Sequence, residues 1–297
     1  MGKKKRKIYS KDSRRFDIII TIMTIFIVIL MLYPFYYILI NSLNEGTDAM
    51  KGGIYWLPRK FTLENYLYFF KDSSWLQAFG VTILRTVIGT TLTVLFTCMV
   101  AYGLAQKNLI FRKGYYSLII VAMYFSGGLI PNYILMRSLH LLNTFWVYVV
   151  PTALDLFFVI IAVNNFQEVP PELGESARLD GAGEFRIFRS IMLPISKPLL
   201  ATMALFIGVN QWNSWVDSAY YVRDESLRTL AYRMMAVLNQ ASLPASAQVS
   251  AMASQSTVTY LSVQMASMII ATLPIMCVYP FLQKYFVSGM MLGAVKG

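Results

Sequence analysis

Val169–Pro198 reads VPPELGESARLDGAGEFRIFRSIMLPISKP, a polar stretch set between two apolar ones. About 30 residues exceed the roughly 4–6 of an ordinary connection, so this segment carries structure of its own. Pro170 and Pro171 suit the first turn of a helix, where no amide donor is required, and Glu172 and Glu175 place carboxylates near its positive end. Gly181 and Gly183 then offer a left-handed turn. Phe185, Phe188, Met192 and Ile195 recur as the apolar stripe of a second helix, with Arg186 and Arg189 off the stripe. Pro194 is expected to stop that helix, and Pro198 to open the next apolar run at its first turn. The expectation is helix, turn, helix.

Composition says what surrounds this loop. Of 297 residues, 57% are hydrophobic and only 14% charged, against about 25% charge in soluble domains. The chain therefore reads as a membrane protein. A net charge of +11 raises nucleic acid as a partner, but the excess is concentrated at Lys3, Lys4, Lys5, Arg6 and Lys7, just before an apolar run. A topology signal accounts for that placement, and no basic stripe with interleaved aromatics exists outside the apolar runs, so nucleic-acid binding is set aside. Cys98 and Cys277 both lie in apolar runs and read as small buried hydrophobes. His140, the single histidine, reads as a loop residue without further metal ligands around it.

Six apolar runs follow one another: Ile18–Ile40, Thr86–Ala105, Tyr115–Met136, Thr144–Val163, Leu199–Val216 and Ser262–Leu282. The first spans 23 residues without a charge, enough to cross a bilayer that needs about 20 and too long for a cleaved signal. The expected fold is thus an all-α membrane protein of six transmembrane helices. A basic N-terminus (1–17) precedes a six-span domain (18–297), with the polar loop at 169–198 and a last outer loop at 219–261. With a cytoplasmic N-terminus, the inner segments hold 17 Lys/Arg and the outer ones 8, which supports N-in, C-in. The last outer loop turns Ala/Ser/Gln-rich from Val237 to Val258, a composition of a flexible or weakly helical segment.

Polar residues inside the runs carry the next information. A central aspartate is costly in lipid, so Asp155 is expected to face the bundle interior or an aqueous cavity. Asn210, Gln211, Trp212, Asn213, Trp215 and Asp217 crowd the end of the fifth run. Indoles pack on the C–H faces of sugars while amides and carboxylates address hydroxyls; an interfacial aromatic belt explains the tryptophans equally. Tyr124, Phe125, Gly127, Gly128, Pro131, Asn132 and Tyr133 make the third run irregular, either as broken backbone lining a cavity or as small-residue helix packing. Arg85, at the boundary of the second run, either holds an acidic group or snorkels to the interface.

Glu175, Ser176 and Ala177, then Gly181, then Ile191, Leu193 and Pro194 resemble the EAA signature of permease subunits of type I ATP-binding-cassette importers. Ser176 stands where the signature usually has alanine. The resemblance covers nearly the whole chain from Ile18. It implies that Glu175, Ser176, Ala177, Asp180, Gly181 and Arg189 couple the loop to a separate cytoplasmic ATPase. The stretch Pro58–Tyr66, the stretch SGGLIPNYILMRSLHLLNT (Ser126–Thr144) and the tail Tyr285–Gly297 resemble the carbohydrate branch, including importers of complex or acidic oligosaccharides.

The resemblance implies a bacterial inner-membrane, multi-pass protein. Its partners are a second permease subunit, two ATPase subunits that carry ATP and magnesium, an extracytoplasmic solute-binding protein, membrane lipid and an oligosaccharide substrate. The substrate path then draws on Tyr124, Asn132, Asp155, Asn210, Trp212, Asn213, Trp215, Asp217 and Arg85. No G-x-x-x-x-G-K-[ST] loop is present, no catalytic triad can be assembled from one histidine, and no zinc signature occurs. The chain is therefore not expected to be an enzyme or to bind a cofactor or metal of its own. A permease for a non-sugar solute and a non-transporting membrane assembly protein are the alternatives.

Overall fold

The computed structural model describes residues 11–241 and 257–294. Among them the regular structure is helical, apart from one isolated antiparallel bridge between Asn44 and Phe61. The chain divides into two compact units, one of residues 11–68 and 257–269 and the other of 69–241 and 270–294, counting described residues only.

The first unit holds α1 (Lys11–Ser42), the short α2 (Gly46–Ala49), the start of α3 (Glu64–Lys71) and the start of α14 (Tyr260–Ala294). None of the apolar window of α1 is buried within the chain. A helix that apolar on every face requires hydrocarbon or another protein as its solvent. At the C-terminal end of α1 the chain is tied by polar groups. The Asn65 amide, fully buried, donates to Ser42 O at 2.8 Å and Asn44 O at 2.9 Å, while Gly46 N donates to Thr257 O at 2.9 Å. A Cβ at Gly46 would lie 2.6 Å from Thr259 N, so only glycine allows this approach.

The second unit is built on α4 (Ser73–Ala105), capped by Asp72, whose carboxylate accepts from Ser74 N at 2.9 Å. At 33 residues it is about 50 Å long at 1.5 Å per residue. Its buried residues are Trp75, Ala78, Thr82, Arg85, Gly89, Thr93, Val94, Thr97, Cys98, Ala101 and Leu104, most of them small or polar, whereas Ile83, Leu84, Val87, Leu95, Phe96 and Met99 are exposed. Small and polar residues face inward and large apolar ones outward, the pattern of a helix whose surroundings are lipid. Against α4 pack α7 (Leu156–Gln167) and α11 (Lys197–Asn213). The core between them contains Cys98, Val159, Ala162, Val163, Phe166 and Met203.

Several apolar runs differ from continuous helices. The second run is extended: α4 begins at Ser73, so Arg85 lies within the helix rather than at its boundary. The third breaks into α5 (Arg112–Tyr124) and α6 (Leu129–Ser138), bent by 114°, where Gly128 takes φ +82°. In the fourth a 3₁₀ turn (Phe145–Tyr148) leads through an irregular stretch to α7, which starts only at Leu156 because Asp155 caps it. The fifth ends at Asn213, before the short α12 (Val216–Tyr221). Among the described residues, three helices are long and apolar enough to cross a membrane, two bent pairs raise this to five, and α7 is a shorter apolar helix.

The polar loop forms α8 (Pro171–Leu179), with Pro171 in its first turn, and then a second arm, Glu184–Ile195. This arm runs as α9 (Glu184–Ile187), a π turn (Phe188–Met192) and α10 (Leu193–Ile195). The expectation that Pro194 stops the helix is corrected. Widening to a π turn just before Pro194 relieves the ring's clash with the preceding carbonyls, and the chain bends by 83° only around Ser196. The apolar stripe is corrected too. Ile187, Phe188 and Met192 are buried while Phe185, which precedes the π turn, and Ile195, which follows it, are exposed. Pro198 sits in the first turn of α11 as expected.

Beyond α12, a 3₁₀ turn (Glu225–Leu227) leads to α13 (Leu230–Ala241), which includes the start of the Ala/Ser/Gln-rich stretch; residues 242–256 lie outside the described residues. The expected tail from Tyr285 is helical as far as Ala294, the end of α14. Cys98 is buried as expected, but Cys277 is exposed, because it lies on a face of α14 that no described residue covers.

Candidate functional site

A cavity of about 410 Å³ in the second unit is lined by side chains of α4, α5, the stretch before α7, and α11 and α12. Its polar wall is organised by one cation. Arg85 is only 1% exposed, and every guanidinium N–H has an acceptor. Nε and Nη2 donate to Gln211 Oε1 at 3.3 and 2.9 Å, Nη2 to Asp217 Oδ2 at 2.5 Å, and Nη1 to Asp217 Oδ1 and Ser214 O at 3.1 and 3.2 Å. The Tyr148 ring covers the guanidinium at 4.6 Å.

The network continues outward from this fork. Gln211 Nε2 donates to Thr152 Oγ1 at 2.8 Å, and Thr93 Oγ1 donates to Thr152 O at 2.7 Å. Gly89 makes room for it: a Cβ there would meet Gln211 Nε2 at 2.9 Å. Asp155 caps α7 through a 3.1 Å bond from Phe158 N, and its own amide donates to Thr97 Oγ1 at 3.1 Å. Two polar groups of the irregular backbone before α7, Thr152 O and Asp155 N, are thus answered by α4 hydroxyls.

Of the residues singled out in the sequence, Arg85, Asp155, Asn210, Gln211 and Asp217 line this cavity together. The others are placed elsewhere. Trp212 is 7% exposed, its indole N–H donates to Ala271 O at 3.1 Å, and it packs edge-on to Phe79, so it fastens α11 to α14. It borders a separate apolar groove of about 530 Å³ with Thr86, Thr90, Gly208 and Pro274. Asn213 is exposed and turns back to Val209 O, Trp215 is half-buried, and Tyr124 and Asn132 are exposed. Arg85 is neither snorkelled nor free, because Asp217 meets it inside the protein. The sequence displayed the signal, two opposite charges at the ends of apolar runs, but gave no means of pairing residues so far apart. Gln211, Thr152, Ser214 and Tyr148 were invisible as members of the network for the same reason.

The second candidate surface is the polar loop. Glu175, Ser176, Asp180, Gly181 and Arg189 are exposed, and Ala177 is half-buried against the core. Gly181 takes φ +79°, the left-handed turn that its position between the two arms anticipated. Leu179 stands 89% exposed at the end of α8, and Phe185 is exposed on the second arm. One carboxylate ties the loop down. Glu184 accepts from Arg178 Nε at 2.7 Å and from the Tyr102 hydroxyl of α4 at 2.6 Å. The Arg178 bond first, and the Tyr102 bond second, hold the Glu184 carboxyl below its ordinary range. Neither Arg178 nor Glu184 was singled out from sequence, since their pairing exists only once the Gly181 turn is made.

No protein-family model matches the chain. It is 39% identical over 265 residues, 89% of each chain, to protein LplC of Bacillus subtilis (strain 168). It is 33% identical over 288 residues, 96% of this chain and 99% of the relative, to the polygalacturonan/rhamnogalacturonan transport system permease protein YtcP of the same organism. Among solved structures, a bacterial ABC transporter involved in the import of the acidic polysaccharide alginate matches with a TM-score of 0.84. That match has 26% identity and covers 95% of this chain and 100% of that one.

Arg85→Gln and Asp217→Asn are each expected to lower stability by about 3–5 kcal/mol, because each strands a desolvated charge, whereas the double variant recovers most of the loss. Thermal unfolding of the purified complex in detergent measures this; additive losses would show that the two charges do not depend on each other.

Proposed function

Because the chain belongs to the permease subunits of sugar-importing ABC transport systems, we propose that it forms half of a translocation path for an oligosaccharide. On this reading it pairs with a second permease subunit, receives sugar from an extracytoplasmic solute-binding protein, and is driven by two ATPase subunits that carry ATP and magnesium. It resides in the bacterial cytoplasmic membrane. Six crossings with both termini inside are proposed. The two bent pairs count as one crossing each, and the short α7, about 18 Å long at 1.5 Å per residue, is completed by the residues before it. The excess of Lys/Arg in the segments then assigned to the cytoplasm supports this orientation. With Cys98 and Cys277 replaced, a cysteine at Ser190 should label from the cytoplasm and one at Ser226 from outside; the opposite sidedness would overturn the topology.

The observation that carries the coupling role is the loop with one face in the core and the other bare. Glu175, Ser176, Asp180, Gly181 and Arg189 are proposed to meet the ATPase, with Leu179 as an apolar knob beside them and Ala177 setting α8 against the bundle. Gly181→Pro, which cannot adopt the positive φ, is expected to leave membrane insertion intact and to abolish transport while ATP hydrolysis persists. Glu175→Lys places a cation on α8 and should reduce ATPase recovery in a pull-down from detergent. Unchanged recovery and unchanged uptake in both variants would remove the coupling assignment.

The cavity of Arg85, Asp155, Asn210 and Asp217 is proposed as this chain's share of the path, with amide and carboxylate groups addressing sugar hydroxyls. An acidic oligosaccharide is the favoured substrate class, supported by the relative named for polygalacturonan and rhamnogalacturonan and the neighbour named for alginate. Since Asp217 already occupies the guanidinium, an acidic group of the substrate competes with it for Arg85. The double variant Arg85→Gln/Asp217→Asn keeps the helices together without that cation. Vesicle uptake by it should fall selectively for acidic oligosaccharides, and equal uptake of neutral and acidic ones would restrict Arg85 to a structural role.

A further inference from the structure

The segment after α2 does not extend away from α1 but returns along it. Gly52 and Gly53, at φ +71° and +75°, reverse the chain, and residues 54–58 (IYWLP) then run back beside the outer end of α1. The Tyr36 hydroxyl donates to Trp56 O, and Asn41 Nδ2 lies 3.5 Å from Ile54 O. Trp56 meets the Tyr33 ring at 6.2 Å, and Tyr55 meets Tyr37 at 6.5 Å. Ile54 is buried with Ile40 and Ala49. Tyr36 lies six residues before the end of α1, so the tip reaches about 9 Å back along the helix, to the level of its apolar run.

The two ends of this finger differ in chemistry. Its base is ionic and stapled: Arg59 Nε donates to Asp48 at 2.9 Å and Nη2 to Gly52 O at 2.8 Å, while Lys60 pairs with Glu45 at 3.0 Å. Backbone bonds Glu45 N to Lys60 O and Thr62 N to Leu43 O, both 2.9 Å, fix it further. Its tip is apolar and bare, with Trp56 and Leu57 each 74% exposed and Tyr55 56% exposed. The neighbouring turns of α1 expose apolar side chains as well, Leu32 at 59%, Phe35 at 56% and Leu39 at 39%. Non-helical backbone near the membrane is tolerated where its polar groups are answered, and here the Tyr36 hydroxyl of α1 answers the Trp56 carbonyl at the tip.

We propose that residues 54–58 form an outer-leaflet anchor: the Tyr55–Trp56–Leu57 tip sits among acyl chains just below the phospholipid headgroups, with Arg59, Lys60 and Lys51 at headgroup level. The inference rests on α1 crossing the membrane. It is tested on the full transporter, with Cys98 and Cys277 replaced, in vesicles of phosphatidylcholine and phosphatidylglycerol. A nitroxide at Leu57→Cys should be relaxed several-fold more by oxygen than by a water-soluble nickel chelate, and one at Lys51→Cys the reverse. Nickel access at Leu57 would place the tip in water, and shielding from both reagents would place a protein against it; either result overturns the anchor. A label at Ile25→Cys, mid-way along α1, separates the two premises, since nickel access there would mean that α1 itself does not cross. Because labelling removes Leu57, the native side chains are read independently. Bromine-labelled lipid should quench more tryptophan emission in the native protein than in Trp56→Phe, and equal quenching would again overturn the proposal.

Discussion

A guanidinium withdrawn from both water and lipid needs an acceptor for each of its five N–H groups, and no single neighbouring helix can supply them. Arg85 draws its acceptors from a side chain of α11, a backbone carbonyl at the end of α11 and a carboxylate of α12, and it rests on a ring from the 3₁₀ turn. Three elements, α11, α12 and the 3₁₀ turn, are thereby fixed about one point of α4. The break after Asn213 becomes intelligible in these terms. Ending α11 there frees Ser214 O for Arg85 and turns the chain so that Asp217 faces back toward it.

The rest of the second unit follows the same inward polarity. Hydrocarbon outside offers no gain for burying large apolar side chains, so the seam is written in threonine, glycine and alanine, which admit close approach and answer irregular backbone. Thr93 and Thr97 serve the stretch that makes the fourth run discontinuous, and Thr82 accepts from Leu230 N at the start of α13. The cavity exists because α5 and α6 diverge and α7 starts late. An uninterrupted bundle of the expected runs would have been more regular without leaving this polar wall accessible.

At the opposite end of α4, the loop solves a different problem. It must present a bare surface yet remain attached to the bundle. Ile187, Phe188 and Met192 anchor its second arm in the core, and Glu184 joins Arg178 of α8 to Tyr102 of α4 across the glycine turn. Tyr102 and Arg85 share one helix, 17 residues apart, about 25 Å at 1.5 Å per residue. α4 therefore joins the loop to the cavity as a single rigid element.

The sequence by itself determined the composition of the surroundings, the apolar runs and the helix–turn–helix of the polar loop. These are local properties: hydropathy, a proline where no donor is needed, a glycine where φ is positive. Tertiary structure alone decided which runs are broken, because breaks at Gly128 and Asp155 depend on whether neighbouring helices can satisfy the freed backbone. It decided that the arm bearing Pro194 widens into a π turn rather than ending, and that Phe185 and Ile195 face away from the core. It also decided the partners of polar residues. Trp212 and Asp217 lie five positions apart in the chain, yet one fastens α14 and the other neutralises Arg85, a division set by direction around a helix and by what stands opposite.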